Sequence, residues 1–84
     1  NSYGIDNFEY IERDDKVGIV GVSFRDSLSA RFCLVSSRIP MRLLVEGRIC
    51  LVNTEFGLDF GRISRKLYYV SKSSLPPNLY YVVK

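Results

Sequence analysis

The chain predicts an all-β domain, a small, strongly bent antiparallel sheet or barrel of five to six short strands. Three observations predict it. Short runs rich in Val, Ile, Phe and Tyr alternate with turn signals such as Asp14-Asp15, Glu46-Gly47 and Pro76-Pro77. No stretch sustains a helical period. A strand–turn–strand segment at 45–66, VEGRICLVNTEFGLDFGRISRK, carries glycines at 47, 57 and 61, where a tight turn and a bent strand need them.

Taken in order, residues 1–15 form an acidic N-terminal arm or linker, in which Tyr3, Ile5, Phe8, Tyr10 and Ile11 supply anchors for docking as an edge strand. Residues 16–84 form the domain proper. In 17–25, Val20, Val22 and Phe24 share one face and Val17, Ile19 and Gly21 the other, with Gly18 and Gly21 marking a bend, a bulge or a close backbone approach. Asp26-Ser27 opens a turn into a second strand at 30–36, with Ala30, Phe32 and Leu34 on one face. Pro40 bars a central strand, and 41–45 reads as a helical turn or an extended piece. Residues 48–54 and 58–70 then form a hairpin around Glu55-Phe56-Gly57. Gly57 takes positive φ there and Gly61 bends the returning strand. After the loop at 71–78, LYYVV at 79–83 is the last strand. On alternation, Phe24, Phe32 and Phe60 read as core.

With 84 residues, one domain is expected. The net charge of +3 hides an asymmetry. Residues 1–15 hold Asp6, Glu9, Glu12, Asp14 and Asp15 against Arg13, a sum of −4, and the remainder holds eleven cations against four anions, a sum of +7. A basic domain attracts phosphate backbones or acidic protein surfaces. There is no histidine, so Ser-His-Asp and Cys-His nucleophile systems and the common zinc sets are excluded. Cys33 and Cys50 lie in apolar runs and read as buried free thiols, suited to the cytoplasm. No carboxylate pair among Glu46, Glu55 and Asp59 has the further group that would complete an acid–base or metal site. No Gly-Lys-Ser/Thr follows the glycines, so they are not a phosphate cradle. No apolar run approaches membrane-helix length. The expectation is a non-enzymatic chain without cofactor or metal.

The strands VGVSFR at 20–25 and ARFCLV at 30–35 are followed by a Gly turn, then by a Val-containing strand that ends in Thr54, Glu55, Gly57 and Gly61 of TEFGLDFG, then by Leu75-Pro76. In this order they resemble the C-terminal domain of the polymerase-suppressor (PSP-one type) family, which includes the bacterial YaaT proteins. The likeness runs over about residues 17 to 84. It implies a non-catalytic module in RNA metabolism. Bacterial members assemble with partners that influence an RNA-degrading enzyme, and kinetoplastid ones are associated with messenger RNA. The cysteine cluster that bacterial members carry beyond this region is not among these residues, and an iron–sulfur role is not carried over.

The candidate nucleic-acid-binding residues are Arg25, Arg31, Arg48, Arg62, Arg65, Lys66, Tyr69 and Tyr81. Eight of the twelve cations are arginine, the side chain better suited to bidentate phosphate contacts and to stacking on bases. Tyr68-Tyr69 and Tyr80-Tyr81 are adjacent pairs, so one member of each faces outward, where a ring serves as a platform for single-stranded nucleic acid or as a protein anchor. The expected partner is single-stranded RNA, contacted through Arg-rich faces and exposed Tyr. The alternative is a protein–protein interaction module that assembles an mRNA-regulatory complex, its strands 68–70 and 79–83 forming the contact. Exposed strands also provide a route to a homodimer. The opposite charges of arm and domain suggest that the arm folds over the basic face and competes with ligand.

Overall fold

The computed structural model of the protein describes residues 9–25 and 29–84. The turn expected at Asp26-Ser27 and the arm anchors Tyr3, Ile5 and Phe8 lie outside the described residues. Six strands form one sheet: β1 (Glu12–Arg13), β2 (Lys16–Phe24), β3 (Arg31–Val35), β4 (Ile49–Thr54), β5 (Gly57–Ser71) and β6 (Tyr80–Val82). Single 3-10 turns lie at Met41–Leu43, just after Pro40, and at Lys72–Ser74. Strands β2 to β6 run in the order β2-β3-β6-β4-β5, and β5 pairs back onto β2 to close a barrel. β1 is an extra strand that pairs with the start of β2 across Asp14-Asp15, and Asp14 takes φ of 55° in that turn.

One pairing departs from the antiparallel expectation. β3 and β6 run parallel, with Cys33 beside Tyr80 and Val35 beside Val82. Parallel neighbours need a long crossover, and the β4–β5 hairpin lies within this one. β6 then meets β4 antiparallel, Val52 beside Val82, and Leu51 accepts the amide of Val83 at 2.8 Å.

β5 closes the barrel because it serves two neighbours. Its first part pairs with β4, from Gly57↔Thr54 to Arg62↔Ile49, and from Gly61 onward it pairs with β2. Between Tyr68 and Arg65 three steps of β5 face two of β2 (Ile19 to Gly21), and between Arg65 and Ile63 two steps face one. These are bulges, which bend and twist the strand that carries them. Gly61 sits where β5 passes from one neighbour to the other. A Cβ there would run into Val22 Cγ1, so only a bare backbone fits.

Each position of the Thr-Glu-x-Gly-x-x-x-Gly pattern has a structural task. Thr54 Oγ1 accepts the amide of Phe56 at 3.1 Å and donates to the carbonyl of Gly57 at 2.7 Å. Glu55 Oε1 accepts the hydroxyl of Tyr80 at 2.9 Å. Gly57 has φ of 107°, as its turn requires, and Gly61 makes the close contact just described.

Two apolar clusters result. The lumen holds Val20, Val22, Cys33, Val35, Cys50, Val52, Ile63, Tyr80 and Val82, with Ile39 and Leu44 beside them. Outside the wall, Val17, Ile19 and Leu34 are covered by Tyr10, Tyr68, Val70, Leu75, Leu79 and Tyr81. β2 is apolar on both faces because both are covered.

The expectation that Phe24, Phe32 and Phe60 form the core is corrected at Phe32 and Phe60. Phe24 is half-buried against the lumen, whereas Phe32 is 46% and Phe60 67% exposed. Strand alternation is the reason. Cys33 and Gly61 face inward, so their neighbours Phe32 and Phe60 face out.

Both cysteines are free and buried. Burial and the neighbouring Cys50 push the Cys33 thiol up to about 12, against the opposing pull of Arg31. Burial against the weaker pull of Arg48 and the Gly61 backbone raises Cys50 to about 11.

Two predictions follow from this packing. Gly61→Ala should destabilise the domain by about 1–3 kcal/mol through overpacking, read as a lower urea midpoint and a fall in Tm of several degrees; an unchanged midpoint would refute the close contact. Unfolded thiols ionise near pH ~8.5, well below the folded values. The stability they contribute is therefore complete below that pH and is lost as pH climbs toward about 11 and 12. The urea midpoint should drop between pH ~8 and pH ~10.5, and drop less in the Cys33→Ala, Cys50→Ala double variant.

Candidate nucleic-acid interface

Val22 faces the lumen and Phe24 packs against it, so Ser23 on β2 points outward, and Arg25, just past the end of β2, is exposed. On β5, Gly61 and Ile63 face inward, so Phe60 and Arg62 point outward. The register places Ser23 beside Arg62, and Arg62 beside Ile49 of β4. These side chains, with Phe24 and Gly61, line an open cleft of about 440 Å³. An exposed aromatic ring thus lies in one cleft with the two guanidinium groups of Arg25 and Arg62. Arg62 is oriented by a 2.9 Å hydrogen bond from Nη1 to the carbonyl of Gly47, a residue held in its turn at φ of 92°.

Of the eight residues singled out from sequence, the structure gathers Arg25 and Arg62 at this cleft. Arg65 follows along β5, beside Gly21, with its guanidinium 4.1 Å from the centroid of the Tyr68 ring. Lys66 is exposed within the bulged stretch.

The other four lie elsewhere. Arg31 lies 4.0 Å over the Tyr80 ring, whose edge meets Phe24 at a centroid distance of 6.1 Å. Arg48, one residue before Ile49, is exposed, and its charge acts on the Cys50 thiol on the barrel side. Tyr69 is half-buried with Arg13 4.9 Å over its ring. Tyr81 is half-buried in the outer cluster.

Sequence reasoning missed Phe60 and Ile49. The signal was present in Gly61: a glycine forced inward turns its predecessor outward.

The same hairpin carries more exposed apolar surface. Phe56 at its tip is 90% exposed and Leu58 64%. Asp59 Oδ1 accepts the amide of Phe60 at 2.8 Å.

The described part of the arm is built into the barrel at the other end of β2. Ile11 donates to the carbonyl of Val35 at 2.9 Å, Ser37 donates to that of Glu9 at 2.8 Å, and Glu12 pairs with Lys72 at 2.6 Å. Residues 12–15 therefore sit beside Lys16, and the cleft lies by Arg25, nine residues further along, or roughly 30 Å at strand rise. The expectation that the arm covers the basic face does not hold for these residues.

Among the described residues no group of three acidic, His or Cys side chains is placed to hold a metal ion, and no helix is long and apolar enough to cross a membrane. No family model, curated protein or solved structure matches the chain.

Arg31 is thus placed as a support for Tyr80. Arg31→Ala should lower stability by about 1 kcal/mol, read as a lower urea midpoint. An unchanged midpoint would refute a stabilising contact between Arg31 and the Tyr80 ring.

Proposed function

We propose that this domain is a non-catalytic, cytoplasmic module of RNA metabolism that contacts single-stranded RNA through the cleft between β2, β5 and β4. The observation that carries this reading is the exposed Phe60 ring in one cleft with Arg25 and Arg62. Single-strand binding needs a stacking surface that accepts any base and cations that follow the backbone, and this cleft offers both. Phe60 takes the platform role expected of an exposed Tyr. The basic balance of residues 16–84 and the resemblance of TEFGLDFG and its flanks to the polymerase-suppressor domain support the same reading.

A second reading rests on a different observation. The apolar strip continues from Phe60 through Leu58 to Phe56, which is almost fully exposed and suits a protein subunit of an RNA-regulatory complex. The two readings differ in salt dependence. Phosphate contacts lose affinity steeply as salt rises, whereas an apolar contact responds weakly.

The test is titration of the domain into labelled single-stranded RNA at low and near-physiological salt. Affinity should fall log-linearly with salt. The Arg25→Glu, Arg62→Glu double variant should lose at least about tenfold in affinity, with a salt slope shallower by about 1.4, the loss of two phosphate contacts. Phe60→Ala should weaken binding by about 1–3 kcal/mol. Parent-like affinity in both variants, or no binding at low salt, would overturn the RNA reading and favour the apolar strip.

A further inference from the structure

The cleft contains one group that neither base stacking nor phosphate contact uses. Of the described side chains that line it, Phe24, Ile49 and Phe60 are apolar, and Arg25 and Arg62 can only donate hydrogen bonds. Ser23 is the one that can accept. It is half-buried, and its short side chain holds the hydroxyl close to the backbone of β2.

The register sets where that hydroxyl stands. Ser23 is opposite Arg62, and Arg62 is opposite Ile49, so the three form one row across β2, β5 and β4. Phe60 precedes Arg62 by two residues on the same face of β5, roughly 7 Å along the strand. Arg62 commits one N–H to the carbonyl of Gly47, and a guanidinium has others to offer an acceptor. A nucleotide with its base on Phe60 and its phosphate on Arg62 must carry its ribose across the gap between them, because the sugar joins base to phosphate. The sugar then passes beside the row that holds Ser23.

We infer that Ser23 is the residue by which this cleft tells RNA from DNA, its Oγ accepting a hydrogen bond from the ribose 2′-hydroxyl of the nucleotide stacked on Phe60. The inference rests on the RNA reading above and adds its sugar specificity and the residue that supplies it. Phosphate oxygens only accept, so they belong to the arginines. The 2′-hydroxyl donates as well as accepts, and DNA lacks it. A stacking ring and cations alone take either nucleic acid. Without Ser23, no described side chain of the cleft could receive the proton that distinguishes the two.

The experiment titrates labelled adenylate hexamers in ribo, deoxyribo and 2′-O-methyl form into the intact domain at one low salt concentration. The parent should bind the ribo form about three- to tenfold more tightly than the other two, the worth of one neutral hydrogen bond. The 2′-O-methyl oligomer keeps the oxygen but has no proton to give, so it should behave as the deoxy form. Ser23→Ala should bring ribo affinity down to the deoxy value and leave deoxy affinity within about twofold. Ser23→Thr, which restores a hydroxyl on a side chain suited to a strand, should regain the preference. Equal affinity of the parent for ribo and deoxy hexamers overturns the inference and leaves the Phe60 cleft standing. So does a 2′-O-methyl hexamer that binds the parent as tightly as the ribo form, a result that needs no variant. A ribo preference that survives intact in Ser23→Ala, or an equal loss on both hexamers in that variant, also overturns it. Failure of every hexamer to bind the parent overturns the RNA reading as well.

Discussion

The barrel depends on one close contact. Where β5 leaves β4 and joins β2, the backbone at Gly61 lies against Val22, with no room for a Cβ. A single strand must serve two neighbours at that point, and the walls meet only if they approach to backbone distance. The bulges that follow take up the mismatch in length between β5 and β2. Thr54, Glu55 and Gly57 then fix the hairpin whose return strand presents Gly61. The motif most visible in the sequence is thus a device of architecture, and the surface beside it is shaped as a by-product.

That surface follows from the width of the lumen. Five strands enclose a narrow space, and here it holds mainly Val, Ile and Cys, with Tyr80 at one mouth. Larger rings are left outside or at the ends. Some are covered: Tyr68, Tyr81 and Tyr10 pack over Ile19 and Leu34, and Arg13 lies on Tyr69. Others, Phe60 and Phe32 on the β2 face and Phe56 on the hairpin, keep much of their surface in water. These exposed rings lie among arginines, and that residue balance is what the proposed binding role rests on.

Much of the fold was legible in the sequence. The hairpin around Gly57, the bend near Gly61 and the strands at 17–25 and 48–54 can be read from alternation and turn chemistry alone. The two faces of β2 were also sorted correctly, Val20 and Val22 from Val17 and Ile19. Alternation says which residues share a face. It does not say which face is the lumen, and β2, apolar on both sides, gives no internal clue. Phe32 and Phe60 were misplaced for that reason. The parallel β3–β6 pairing was illegible because it joins distant segments, and no local signal encodes it. At the candidate interface, Arg25 and Arg62 were legible as exposed cations. Their convergence was not, since it depends on the register of β2 against β5. Arg31 and Tyr69 were legible as polar candidates, but the ring contacts that set Tyr80 beneath one and Arg13 above the other were not.

The parallel seam between β3 and β6 also constrains the order of events in folding. Cys33 and Tyr80 meet although they are 47 positions apart (33 to 80), and β6 supplies the remaining wall between β3 and β4. The two hairpins flanking Gly61 and Val22 can associate early, but they leave β3 and β4 with open edges until a three-residue strand from far along the chain arrives. Loop closure of that length is costly before any contact rewards it, so closure of the seam is the natural late and slow step. Until then the partly folded chain displays two unpaired edges of the kind that recruit other chains, and the speed at which β6 docks governs how much of the protein escapes aggregation.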